Sequence, residues 1–165
     1  MSLPPLLAQG LDVVFVGTEP GNESERLRCY YANRSNRFYQ HLFDTGFTPV
    51  VLSPTQFREL LSHGIGLDDV YDDPIALRQR LVAAAPRAVC FNSRDALARF
   101  AGLRNKDVKP RWRREAARRY AELPVGLLWA TGDSSFNGSS HWPKRVADLQ
   151  ALNASLQEAA DPPLA

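Results

Sequence analysis

Cysteine is scarce in this chain of 165 residues: Cys29 and Cys90 are its only two, too few for a disulfide framework, and no CxxC or Cys/His spacing accompanies them. No zinc site or other metal is implied, and a reducing compartment is expected. Long apolar runs are also missing. Nowhere do roughly 18 uninterrupted apolar residues occur, and residues 1–10 show no basic segment leading into an apolar core, so neither membrane insertion nor export is expected. No GxxxxGK[ST] or GxGxxG loop is present to cradle phosphates, which disfavours a nucleotide-hydrolysing protein. Charge of one sign is not in excess either. Lysine and arginine number 20 against 18 acids, a formal net charge of +2 that neither requires nor excludes a nucleic-acid partner. There is no internal repeat; only the Pro-rich tips at 3–7 and 160–165 read as frayed.

What the chain does contain is alternation of strand-like and helix-like segments, on a length that suits one domain over residues 1–165. Val13, Val14, Phe15 and Val16 are four β-favouring apolar residues in a row and read as a buried parallel strand. Further strands are expected at 88–91 and 125–130, with 49–53 a short strand or loop. Helices are expected at 37–45, 55–62, 74–85, 95–101, 111–123 and 143–159, the last with Val146, Leu149, Leu152 and Leu156 on one side. This order predicts a three-layer α/β/α fold around a central, mainly parallel sheet of about four strands. Ligands in such sheets sit outside the carboxyl ends of the strands, so the loops after Val16, Phe91 and Ala130 should converge on one functional edge.

The first of those loops is Gly17, Thr18, Glu19, Pro20, Gly21, which puts an acid at that edge. Two readings of Glu19 are open: a catalytic carboxylate, or a solvated residue in an ordinary strand-ending turn. The order of motifs adds a resemblance. The run GTEPG after the first strand is followed by Ser35, Asn36, Arg37, Phe38 and Tyr39, by Thr45 to Thr48 (TGFT), by GIGLDDV at 64–70 and by AVCFNSR at 88–94. In order and spacing these segments resemble the uracil-DNA glycosylase superfamily, nearest its mismatch-specific uracil and thymine branch, whose corresponding motifs are GINPG, GNRFW or GNHFW, GIGFTNMV and AVFNGK. The match frays after the last strand, where the family has His-Pro-Ser, Asn-Pro-Ser or Met-Pro-Ser and this chain has TGDSSFNG at 131–138.

The resemblance implies a DNA repair glycosylase that flips uracil or a related base out of DNA and hydrolyses its N-glycosidic bond, releasing free uracil and leaving an abasic site. It implies no cofactor, no membrane partner, a monomer, and a cytoplasmic, nucleoid-associated location. Glu19 falls where the uracil-specific branch has Asp and the mismatch branch Asn; a carboxylate there would stabilise an oxocarbenium-like sugar and orient or deprotonate the attacking water. Thr18, Gly21, Asn36, Phe38, Asp68 and Asp69 are expected at the base. Phe38 would stack on it, the alternative being an ordinary core position. Gly21 leaves room where the uracil-specific branch has a bulky Tyr. Asp68 and Asp69 would read the base edge, unless they belong to a solvated acidic loop with Asp72 and Asp73. Asn92, Ser93, Ser134, Ser135, Phe136, Asn137, His141 and Arg145 are expected on the DNA side. Phe136, His141 and Trp142 are wedge candidates, and His141 is alternatively a donor to the leaving base or a plain loop residue. The basic run at 111–119 reads as an amphipathic surface helix with a secondary DNA-facing patch. No lysine accompanies the turns at 17–21 or 131–135, so no Schiff-base lyase step is expected. Two other functions stay open: a non-catalytic or product-trapping damage-binding protein, and a glycosylase for hypoxanthine or a 5-substituted pyrimidine.

Overall fold

The architecture was read from a computed structural model of the chain, which describes residues 3–108, 114–132, 134–136 and 142–160. Its centre is a four-stranded parallel sheet made of β1 (Val13–Gly17), β2 (Ile65–Asp69), β3 (Ala88–Phe91) and β4 (Leu127–Ala130), in the order β2-β1-β3-β4. Chain order leaves β1 toward β2 on one side and then crosses to β3 on the other. The switch point therefore lies between the carboxyl ends of β1 and β3, where parallel sheets open a crevice.

Period-two alternation along the strands builds two cores. Val13, Phe15, Ile65, Leu67, Ala88, Cys90 and Trp129 face one side, and Val14, Val16, Val89, Phe91, Leu128 and Ala130 face the other. Both cysteines are buried thiols without a disulfide. The first core is covered by α2 (Phe38–Asp44), a 3-10 helix at Pro54–His63 and α5 (Trp142–Ala160), and the second by α3 (Pro74–Ala84) and α4 (Arg94–Ala101). A short α1 (Asn22–Leu27) follows the β1 turn. Ends are set locally. Asp73 caps α3 through the Ala76 amide, with Pro74 as its first residue, and Ser93 caps α4 through the Ala96 amide. A reciprocal Ser53–Gln56 capping box starts the 3-10 helix, and Gly64 closes it at φ 75°. The outer edge of β2 is covered by an antiparallel bridge from Leu6 to Leu67, which blunts an exposed strand edge.

Residues 49–53, read as a short strand or loop, form the loop, with Val50 and Val51 exposed. Two expectations change. The missing strand is β2, in the segment whose two aspartates offered the acidic-loop reading, and all five of its residues are buried. The helix expected at 111–123 is a 3-10 helix at Arg114–Arg119, and residues 109–113 lie outside the described ones. Arg118 of that segment donates to the carbonyls of Val125 and Gly126, so this cation ties down the approach to β4. Among the described residues no helix is long and apolar enough to cross a membrane.

Candidate active site

Parallel register lines up the functional edge. Gly17 pairs with Asp69 across β1 and β2, and Val16 with Phe91 across β1 and β3, so Glu19, Asp69 and Asn92 emerge from neighbouring strand ends. Alternation then separates the two aspartates. Asp68 points to the α3 side, where its carboxylate takes both a 2.8 Å and a 3.0 Å hydrogen bond from Arg80. Asp69 points to the opposite side and is nearly as buried. Burial above all, then the charges of Asp68 and Glu19, push the Asp69 carboxyl up to about 7. It therefore carries a proton for much of the neutral range.

Gly17 makes the close approach possible. A Cβ at that position would stand 2.7 Å from Asp69 Oδ1 and 3.0 Å from the Tyr31 hydroxyl, so any side chain here would push both away. Tyr31 stacks on Phe38, with ring centroids 4.0 Å apart and planes at 28°. Phe38 is wholly buried, its other neighbours Phe15 and Tyr39 meeting it edge to face at 5.5 Å. Phe38 is therefore a core residue, stacked on Tyr31.

Asn92 is held from behind. Arg145, fully buried on α5, donates from Nη2 to Asn92 Oδ1 and from Nη1 to the Asn92 carbonyl and Thr131 Oγ1, and its Nε donates to His41 Nδ1 at 3.0 Å. A guanidinium only donates, which fixes the Asn92 oxygen toward Arg145 and leaves the amide NH2 for the other side. Burial and the adjacent Arg145 charge pull the His41 pKa down to about 4, so the ring stays neutral.

The remaining positions divide between exposed and structural. Glu19 is about half exposed, with 53% of its side-chain surface accessible, and its Oε1 lies 3.4 Å from Arg99 Nη1. Gly21 starts α1 with open space around a would-be Cβ. Thr18 is half-buried, its carbonyl taken by the Tyr71 amide. Asn36 Oδ1 accepts from the Phe38 amide at 3.0 Å and from Ser135 Oγ at 2.7 Å, so it braces the start of α2 against the loop after β4. Ser93 is occupied as the α4 cap. Ser134 is half-buried and accepts from the Phe136 amide, while Phe136 itself is 54% exposed.

Three DNA-side expectations are corrected by burial. Arg145 has no exposed surface and spends its donors internally; Ser135 is 1% exposed and bonded to Asn36; Trp142 turns in against His41, ring centroids 5.5 Å apart, with its indole N–H buried. Asn92 likewise faces the interior of the site rather than a phosphate. Asn137 and His141 lie outside the described residues. Tyr31, His41, Arg80 and Arg99 are site neighbours that sequence reasoning missed. No periodic or motif signal marks them, since each acquires its place through a contact remote in the chain.

The chain shares this fold with a solved protein. It is the solution NMR structure of a candidate uracil DNA glycosylase from Methanosarcina acetivorans, matched with a TM-score of 0.51 and 20% identity over 92% of this chain and 96% of that one. No protein-family model matches. A likeness at that identity establishes the fold; the chemistry has to come from the residues.

Asp69 and His41 pull stability in opposite directions with pH. An acid whose folded pKa is raised stabilises the fold below its unfolded value near 4 and loses that contribution as pH climbs through about 7. A histidine whose folded pKa is lowered loses its contribution as pH falls from about 6.5 toward 4. Asp69→Asn removes the first dependence. Urea melts should show the variant more stable than the parent at about pH 8, by on the order of 1–3 kcal/mol, and less stable at about pH 5 than at pH 8. A variant weaker than the parent at the higher pH would show that Asp69 is held ionised.

Proposed function

We propose that the chain is a monofunctional base-excision enzyme of the uracil-DNA glycosylase type, nearest the mismatch-specific branch, which hydrolyses the bond between deoxyribose and a flipped uracil or related base. The observation that carries this reading is that Glu19, Asp69 and Asn92 follow the carboxyl ends of neighbouring parallel strands at the β1/β3 switch point, beside a stacked aromatic pair. Glycosidic cleavage needs opposite charges stabilised a few ångströms apart, positive on the sugar and negative on the departing base. An outer carboxylate and an inner set of donors suit that division.

In this mechanism water attacks C1′ while the C1′–N bond breaks and its electron pair leaves with the base. Glu19 accepts the proton of the water and faces the developing oxocarbenium charge. Asn92, its oxygen anchored by Arg145, presents N–H donors to a base carbonyl. Neutral Asp69 offers an O–H donor beside a carbonyl acceptor, the complement of the adjacent carbonyl and N3–H on uracil or thymine. The released base takes up a proton to become free uracil. None of the turn residues 17–21, 131–132 or 134–136 is a lysine, so the abasic product is left without strand cleavage. The departures from the family lie in the longer Glu19 and in the loop after β4.

A second reading has one observation in its favour. Glu19 is half exposed and paired with Arg99, an arrangement that also suits a damage-binding protein holding flipped bases without cutting. Duplexes carrying uracil, a thymine mismatch, hypoxanthine or no lesion, followed by mass analysis of released bases and strands, separate these readings. Base release without strand breakage supports the enzyme; spontaneous nicking with a borohydride-trapped adduct would contradict its monofunctional character.

Glu19→Gln is expected to keep the fold and DNA affinity while slowing single-turnover excision about 100-fold or more, the scale of a lost general base or charged stabiliser. Excision by the variant at the parental rate would reduce Glu19 to a turn residue. Phe136→Ala is expected to slow action on duplex by about 10-fold or more while leaving single-stranded substrate nearly unchanged, since only the duplex stack needs a wedge. Equal, small effects on both substrates would remove Phe136 from strand opening.

A further inference from the structure

Arg99 closes on the acid of the β1 turn from α4. Its Nη1 lies 3.4 Å from Glu19 Oε1, eighty positions away in the chain, and its Nε lies 3.3 Å from Asp95 Oδ2, four positions earlier on the same helix. Local order accounts for the second contact only. An acid four residues before a cation is the favourable orientation for a pair on a helix surface, and Arg99 stands in the last turn, where the helix dipole favours positive charge. The reach toward Glu19 comes from the lean of helical side chains to the N-terminus, the end at which α4 begins directly after Asn92 and its cap Ser93.

The Glu19 contact is weak where it stands. Both side chains are exposed, and a single contact at 3.4 Å in a high dielectric contributes little to folding. Its position gives it a use. A polyanionic strand brought to this edge meets two carboxylates, Glu19 and Asp95, and like charges repel; the guanidinium between them is the group that can meet a phosphate, with a planar fork suited to it. Asp95, itself joined by Asn105 Nδ2 at 3.4 Å, holds the Nε side, so the Nη side can change partner while the side chain keeps its post. The phosphates on either side of a deoxynucleotide are only a few bonds from C1′, so a sugar placed over Glu19 brings them to the same rim.

We infer that Arg99 is a phosphate receptor coupled to the acid: as DNA docks, its Nη edge leaves Glu19 for a backbone phosphate flanking the flipped nucleotide, which frees the Glu19 carboxylate for the attacking water. The inference rests on the base-excision reading for the role of Glu19. In the free protein the guanidinium neutralises the acid at the rim; in the complex it neutralises the strand, and the positive charge developing on the sugar becomes the partner of Glu19. The acid is thus released only where a nucleotide has been seated. Giving up an exposed pair costs little, so affinity for DNA depends on Arg99 far more than on Glu19.

The test measures binding by fluorescence anisotropy to a duplex carrying 2′-fluoro-2′-deoxyuridine, whose fluorine disfavours the oxocarbenium and blocks excision, for the parent, Arg99→Gln and Arg99→Lys. Neutral methylphosphonates replace, one at a time, the two linkages flanking that nucleotide. Arg99→Gln should weaken binding about 10-fold, the scale of one charge-assisted contact, and flatten the slope of log affinity against log salt by about one. One of the methylphosphonates should weaken the parent as much and Arg99→Gln no further. Arg99→Lys, which keeps the charge without the fork, should recover the slope and part of the affinity. A cation that serves only to hold Glu19 would leave affinity and slope unmoved in Arg99→Gln; that result, or losses from Arg99→Gln and from both methylphosphonates that simply add, overturns the receptor. The two proposals fail separately. Coupling between Arg99 and a flanking linkage, with no release of uracil from an ordinary duplex, keeps the receptor and removes excision; release of uracil without that coupling does the reverse.

Discussion

The site depends on one buried cation. Arg145 reaches from α5 through the first core to the ends of β3 and β4, and its guanidinium joins Asn92, Thr131 and the neutral ring of His41 on α2. Removing a guanidinium from water is expensive, and only a full set of acceptors offsets it. Four of its contacts come from three different elements, so they can be satisfied together only when α2, α5 and the sheet are correctly docked. The same contacts orient the Asn92 amide and keep a proton off His41 Nδ1. Packing of the first layer and polarity of the crevice are thus one constraint. A lysine at this position, with no planar fork, would leave part of that set unmet.

Parallel strands magnify what single residues do at their carboxyl ends. Because β1, β2 and β3 run in register, three loops start at the same height, and a glycine at the end of the central strand decides how closely its neighbours approach. Gly17 does this for Asp69 and Tyr31. Two consecutive aspartates on β2 then acquire different chemistry from alternation alone: Asp68 becomes half of an ion pair with Arg80, while Asp69 is enclosed beside aromatic rings and its carboxyl is pushed up to about 7. Nothing about the dipeptide itself distinguishes them.

This explains which parts of the molecule were readable in the sequence. The apolar strands 13–16 and 88–91 and the final helix announce themselves because burial on both faces, or on one stripe, writes a run or a period into the residues. The strand at 65–69 does not, since its last two buried residues are acids, and burial of an acid depends on a partner such as Arg80 twelve positions away. The alternation of strand-like and helix-like segments led to the α/β fold that the structure shows, and to the edge at which the candidate residues gather. It could not say which of those residues turn inward. Ser135 meets Asn36 across 99 positions and Arg145 meets His41 across 104; both look like phosphate donors until those partners are known. Tyr31 carries no local signal at all, and its place is decided by the face of Phe38.

Exposure orders the crevice from outside to inside. Glu19 and Phe136 stand in solvent, Thr18 and Ser134 are half covered, and Asp69, Asn92 and His41 are enclosed. Charge follows the same gradient: the pair Glu19–Arg99 lies in a high dielectric where Coulomb attraction is weak and side chains exchange partners readily. Inside, the Arg145 cation is fixed and the carboxyl of Asp69 beside the aromatic rings is pushed up to about 7. An entering base would therefore meet oriented dipoles rather than free charges, and these need little reorganisation as negative charge develops on it. In the proposed mechanism the rim carboxylate of Glu19, paired with Arg99 at 3.4 Å, would exchange that partner for the attacking water. That separation, polar donors preorganised at depth and a movable acid at the rim, follows from where alternation and the β1 turn place the residues.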